Sequence, residues 1–442
     1  MRNHCLIRIV LLQIFLILFS CRRQTDPGFT KQLVNPAHLN YLYEEITFMN
    51  QSVGIIHIYA DYPDYKWTEA PGEGIACVDD AARAVVFYLQ FADYTGKKEY
   101  IDKSVKLLEF IRLMQAPNGM FYNFIDRNYQ INSSHQNSRA QPGWWTWRAI
   151  WALSEGSVYF KNKKPDYSKS LLNSIRRTFS AIDSILMSYP DSSIIEGLIK
   201  PEFLPERSAS DQAAVLLLAL SNYYKITKDS TVKNFISKLS HGIMITQTGD
   251  SLHFPYMVFR SWENTWHAWG NSQSLALLKI AQFFQNKRFK KGALGEIKYF
   301  YPYFIQQNFP REFVLMKSDS EIKLMNKKQF PQIAYGIRPY IQACLQAYAM
   351  THNEDFAQLA GELGSWLIGK NIVGIPLYDP ATGRCFDGII DEREINRNSG
   401  AESTIEALLA LLAIQKNSIA NQVLSNYFQR PLTVVAKSDK EK

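Results

Sequence analysis

The chain has 442 residues, 46% of them hydrophobic, which is ample for a large buried core in one large domain or two to three small ones. Its net charge is +8, falling to +6 once a leading segment carrying Arg2 and Arg8 is removed. No Lys/Arg block interleaves with exposed aromatics, so the charge reads as a solvated basic surface and a nucleic-acid partner is excluded.

The first predicted element is N-terminal. Arg2 and Arg8 precede an apolar run from Ile9 to Phe19, too short to span a bilayer comfortably and suited to a signal sequence. The run ends Leu18-Phe19-Ser20-Cys21, which resembles the bacterial lipoprotein processing box. That resemblance implies a signal peptide over residues 1–21, lipidation of Cys21 and a tether over 22–31, which leaves 32–442 for the folded domain. It also implies a membrane partner through the lipid and a place in the cell envelope, at the periplasm or outer membrane. The alternatives are an ordinary signal peptide cut elsewhere, or an uncleaved anchor. With Cys5 and Cys21 in this segment, Cys77, Cys344 and Cys385 remain. None has CxxC spacing, so buried free thiols are expected, with no metal site and no disulfide framework.

Residues 32–60 read as a lead-in helix and an extended segment packed on the outside. From about residue 77 to 428, apolar helices alternate with amphipathic partners at a rhythm of about 66 residues, the mark of an internal repeat. The first helices are predicted to start near Cys77, Trp144, Asp211, Trp266, Gln332 and Ala401. The second helices are predicted near Tyr100, Tyr167, Val232, Phe289, Phe356 and Ser418. Ala213 to Leu220 and Ala407 to Leu412 are apolar nearly all round, as helices buried on several sides must be. In the second helix Ile101, Val105, Leu108 and Ile111 face in, while Lys103, Lys106 and Arg112 face out. A buried ring inside an amphipathic ring predicts an all-α (α/α)6 toroid of six hairpins. The loops 117–142, 189–210, 244–265, 310–331 and 371–400 are long, with short strands predicted at Met120 to Phe124 and His253 to Phe259. Long loops in a compact domain usually carry function.

All the lead-in loops land on one rim, so motifs far apart in sequence can share a site. Asp79-Asp80-Ala81-Ala82-Arg83-Ala84 places two acids at a helix start and an arginine one turn later. One Asp suffices as an N-cap, so the other points elsewhere, toward the pore. Asn396-Arg397-Asn398-Ser399-Gly400-Ala401-Glu402 either forms a Ser399–Glu402 capping box or presents Glu402 at the pore, with Asn396 and Asn398 binding sugar hydroxyls. Asp387 and Glu263 are further acid candidates. Trp144, Trp145, Trp147, Trp262 and Trp266 crowd two loop-to-helix junctions, where flat apolar faces suit pyranose rings. Arg83, Tyr122, Asn123, His135, Arg139, His267 and Tyr335 complete the expected substrate-binding rim. No phosphate loop, dinucleotide fingerprint or HExxH motif is present, and no cofactor is expected.

The order DDAARA, W–RAIWAL and NSGAESTIEALLAL resembles the six-hairpin glycosidase superfamily. More narrowly, it is similar to the helical domain with DD-ARA and GAEST motifs found in bacterial carbohydrate-active proteins. The resemblance covers roughly residues 70–425 and implies an (α/α)6 barrel with carboxylates at one rim. It implies an oligosaccharide or polysaccharide as partner and fixes no substrate. The favoured reading is a glycoside hydrolase using Asp80 and Glu402, with Asp79, Glu263 and Asp387 in reserve. One rival is a lyase or epimerase acting on uronic acids through Tyr122, His135, Arg139, His267 and Tyr335. The other is a non-catalytic glycan-binding lipoprotein.

Overall fold

The structure, a computed structural model, describes residues 33–428. The expected signal segment, Cys21 and the tether lie outside these residues, as does the polar tail after Val434. Among the described residues no helix is long and apolar enough to cross a membrane.

Six inner helices run over Val78–Thr95, Trp144–Phe160, Ser210–Thr227, Gln273–Phe284, Ile337–Thr351 and Ala401–Gln415. Each packs on the next, and the sixth packs on the first, which closes the ring. Outside lie Lys98–Leu113, Pro165–Arg176, Ser230–Ile245, Lys287–Gly295, Glu354–Gly364 and Ser418–Phe428. The sixth inner helix is buried along nearly its whole length, because neighbours cover it on every side. The fold is thus the (α/α)6 toroid.

The buried stripe of the first outer helix is broader than its pattern predicts, taking in Tyr100, Ser104 and Leu107. The cause is a hairpin of strands Tyr43–Phe48 and Gln51–Ile56, which follows a short helix, Ala37–Leu42, and packs on this outer helix. Lys103, predicted to face solvent, instead lies over the Tyr43 ring at 3.7 Å.

Two inner helices start later than predicted. Trp266 lies in strand Thr265–His267, which pairs with Glu312–Ser318. That strand pairs in turn with Glu321–Lys328, so the 310–331 loop is largely a hairpin. Gly270, at φ +78, then breaks the chain before the helix opens at Gln273. Gln332 likewise sits in strand Gln332–Ile333, paired with Gly388–Ile389, and the fifth inner helix begins at Ile337. Of the two strands predicted in loops, the first is reduced to a bridge of Phe121 to Gln115 and the strand Phe124–Ile125, and the second to Val258–Phe259. The rim is therefore richer in β-structure than expected, because aromatic and β-branched residues in its long loops find edges to pair with.

Candidate active site

The first and sixth inner helices meet at the rim around one arginine. Arg83, one turn into its helix, is 1% exposed. Its Nη1 binds Asp79 Oδ2 at 3.1 Å and Asp80 Oδ1 at 3.0 Å, and its Nη2 binds Glu402. Its Nε pairs with Glu406 at 3.1 Å. Burial opposes the guanidinium charge, but four surrounding carboxylates more than offset that and raise its pKa further. Glu406 is held from the other side by Arg338 of the fifth inner helix.

Neither expected helix cap forms. The Cys77 thiol accepts the Asp80 N–H at 3.4 Å, and Asn123 Oδ1 accepts the Asp79 N–H at 3.1 Å, which frees both aspartates to face the arginines. In the last hairpin Ser399 Oγ accepts the Cys385 N–H instead of capping, and the Gly400 N–H donates to Asp387 Oδ1 at 3.0 Å. The capping box is absent, and Glu402 turns to Arg83.

The environments push these carboxyls apart. Burial lifts Glu402 to about 7, although a third of its side chain faces the cleft; Arg83 and Arg148 oppose the rise, and Asp80 and Asp79 add to it. Burial raises Asp80 to about 6, against the pull of Arg83. Asp79 goes the other way: burial works against its charge, but Arg148 and Arg83 hold it below the ordinary 3.8. Both Asp80 oxygens are committed, Oδ1 to Arg83 and Oδ2 to the Cys77 thiol, which donates at 3.2 Å. Asp79 Oδ1 has no hydrogen-bond partner.

These groups line a cleft of about 480 Å³ together with Tyr59, Glu73, Asn137, Trp144, Trp145, Arg148, Trp269 and Tyr335. Arg148 lies over the Trp144 ring at 4.8 Å. Trp144 in turn rests against Gly270, where a Cβ would come within 2.7 Å of the indole. Trp145 is fixed by its Nε1–H, which donates to Phe121 O at 2.7 Å. Trp269 stacks on His267 at 4.0 Å, and His267 Nε2 faces Asp211 Oδ2 at 3.0 Å. Among the described residues no group of three or more His, Cys, Asp and Glu is arranged to hold a metal ion.

Of the residues singled out from sequence, Asp79, Asp80, Arg83, Asn123, Trp144, Trp145, Tyr335, Asp387 and Glu402 reach this cleft. Others do not. Trp147 is wholly buried and donates to Gln212 Oε1 at 3.1 Å, so it belongs to the core. Trp266 is also wholly buried, stacked on Phe313 at 4.6 Å. Trp262 is 42% exposed but outside the cleft, and Glu263 pairs with Lys200 at 3.2 Å. His267 supports Trp269 from beneath. Tyr122, His135 and Arg139 are not among the lining side chains, and the Arg139 carbonyl accepts from Trp145. Asn396 braces its own loop by accepting the Asn398 N–H, and Asn398 accepts the Tyr62 N–H, which ties that loop to the N-terminal segment. Cys77, Cys344 and Cys385 are free and buried.

Sequence reasoning overlooked Arg148, Trp269, Tyr59 and Glu406. Arg148 had a readable signal, since it stands one turn into its inner helix just as Arg83 does. Tyr59 had none, because it belongs to strand Tyr59–Asp61, ahead of the repeats.

No family model and no curated protein matches this sequence. Solved structures do. The cellobiose 2-epimerase of Bacillus thermoamylovorans superposes with a TM-score of 0.58 at 10% identity, over 85% of this chain and 95% of that one. The cellobiose 2-epimerase of Spirochaeta thermophila gives 0.57 at 13% identity, over 94% and 99%. A family 76 glycoside hydrolase from a bovine Bacteroides thetaiotaomicron strain gives 0.50 at 12% identity, over 86% and 76%. At these identities the likeness is one of fold: the chain shares its (α/α)6 toroid with these enzymes.

Proposed function

We propose that this protein is a carbohydrate-active enzyme, a glycoside hydrolase in which Glu402 is the general acid and Asp79 the ionised partner. The observation that carries this reading is a pair of carboxyls whose pKa values are pushed in opposite directions around Arg83, at a cleft walled by three tryptophans. A carboxyl lifted to about 7 is still protonated near neutrality and can donate to a leaving oxygen. A carboxylate kept charged by two arginines at the cleft wall can activate water or attack carbon. Asp80, favoured from sequence, has both oxygens occupied and serves better to hold Arg83.

Incubation with a panel of polysaccharides and oligosaccharides, followed by product analysis, tests this. New reducing ends are expected. A changed sugar configuration without new ends would replace hydrolysis by epimerisation, an unsaturated uronide would establish a lyase, and binding without product would establish a binding module.

We also propose that Cys21 anchors the protein in the bacterial cell envelope, on the support of Ser20-Cys21 after a short apolar run. Cys21→Ala should release the protein from the membrane fraction, and unchanged fractionation would contradict anchoring.

A further inference from the structure

We propose that the cleft accepts a neutral glycan and rejects glycans carrying uronate, sulfate or phosphate at the bound sugars, an inference that rests on the cleft being the substrate site. Five carboxylates line it, Glu73, Asp79, Asp80, Asp387 and Glu402, against two arginines, Arg83 and Arg148. Both arginines are spent. Arg83 is enclosed by Asp79, Asp80, Glu402 and Glu406, and Arg148 is tied to Asp79 and laid on Trp144. No lysine or histidine is among the lining residues. A single proton held on Glu402 or Asp80 still leaves more carboxylates than arginines. An anionic sugar would therefore enter a cleft of its own sign, with no free cation to receive it.

The hydrogen-bonding inventory points the same way. The ionised carboxylates that line the cleft can only accept. The Asn123 amide is already used, its Nδ2 donating to Asn137 O at 3.1 Å and its Oδ1 accepting from Asp79 N. Beside the Tyr59 and Tyr335 hydroxyls, which donate or accept without carrying charge, the cleft offers carboxylate acceptors and indole faces. Sugar hydroxyls supply donors, and the C–H faces of uncharged pyranoses suit Trp144, Trp145 and Trp269. The uronate-directed alternative raised from sequence lacks its cation for the same reason, since Arg139 and His135 are not in the cleft.

The test is isothermal titration of the intact protein with cello-, manno- and xylo-oligosaccharides and with oligogalacturonate and oligoglucuronate of matched length. Wild type, Trp145→Ala, Trp269→Ala and Glu73→Gln would be compared, with circular dichroism confirming that each variant folds. At least one neutral series should bind about 30-fold or more tighter than any uronate, with the gap narrowing in high salt and in Glu73→Gln. That binding should be lost in both tryptophan variants. Uronates that bind tighter than every neutral series, and lose binding in the tryptophan variants, would overturn this inference while sparing the cleft as the site. Binding that survives both tryptophan variants would instead overturn the cleft as the site. Failure of every oligosaccharide to bind would overturn both.

Discussion

At the scale of single residues, the site turns on how one guanidinium is shared. Asp79 and Glu402 both touch Arg83, yet one is held ionised and the other is lifted toward neutrality. If Glu402 is the acid and Asp79 the base, kcat/KM should hold a broad plateau on the acid side and fall above about pH 7. If Asp80 were the base, its value of about 6 would narrow the profile to a sharp peak between about 6 and 7. A pH–rate profile decides between them. Stability should follow the same groups. Glu402 and Asp80 bind protons more tightly folded than unfolded, since their ordinary values are 4.5 and 3.8. Their contribution is therefore greatest at low pH and is lost as pH rises through about 6 to 7. The melting-temperature difference between wild type and Glu402→Gln should fall from pH 5 to 7.5 and then level off; a difference that rises with pH would contradict the assignment.

The Asp79-Asp80 and Glu402 motifs were legible in the sequence because their charges had too little local work to do. What stayed hidden was their detailed bonding. The cap expected from one of the two aspartates is replaced by Cys77 and Asn123, and Ser399 gives way to an Asp387 contact with the Gly400 N–H, partners that only the tertiary structure supplies.

At the scale of elements, position along a helix decides whether a tryptophan is site or core. Trp144 and Trp145 open the second inner helix and stand at the rim, whereas Trp147 has already sunk between neighbours. Trp147→Ala should cost about 3–5 kcal/mol of stability, as large aromatic truncations in cores do. Trp145→Ala should instead raise KM with a smaller loss of melting temperature. Chemical denaturation and steady-state kinetics on the two variants check this. Gly270 links strand and helix: it takes φ +78, and its missing Cβ lets Trp144 settle. Gly270→Ala should destabilise the fold by about 1 kcal/mol or more and weaken substrate binding by displacing Trp144. Wild-type binding in that variant would show that Trp144 needs no such support. The sequence pattern predicts a helix start near Trp266, where the chain forms a strand instead, because an aromatic run carries no clear period and the partner strand lies nearly fifty residues on.

At the scale of the whole molecule, the repeat was the most legible feature, since six apolar helices at near-regular spacing have few ways to bury one another. Closure of that ring sets the sixth inner helix against the first and places Glu402 on Arg83, 319 residues away in sequence. Which carboxylate does what was not legible, because burial and arginine sharing exist only after closure. The central claim is that this juxtaposition is a working acid and base. It is tested most directly by turnover of Glu402→Gln, Asp79→Asn and Asp80→Asn on a substrate cleaved by the wild type, with circular dichroism on each. Glu402→Gln and Asp79→Asn should each lose at least about 10²-fold in kcat while staying folded, and Asp80→Asn should lose markedly less. Near-wild-type turnover in folded Glu402→Gln would contradict the account.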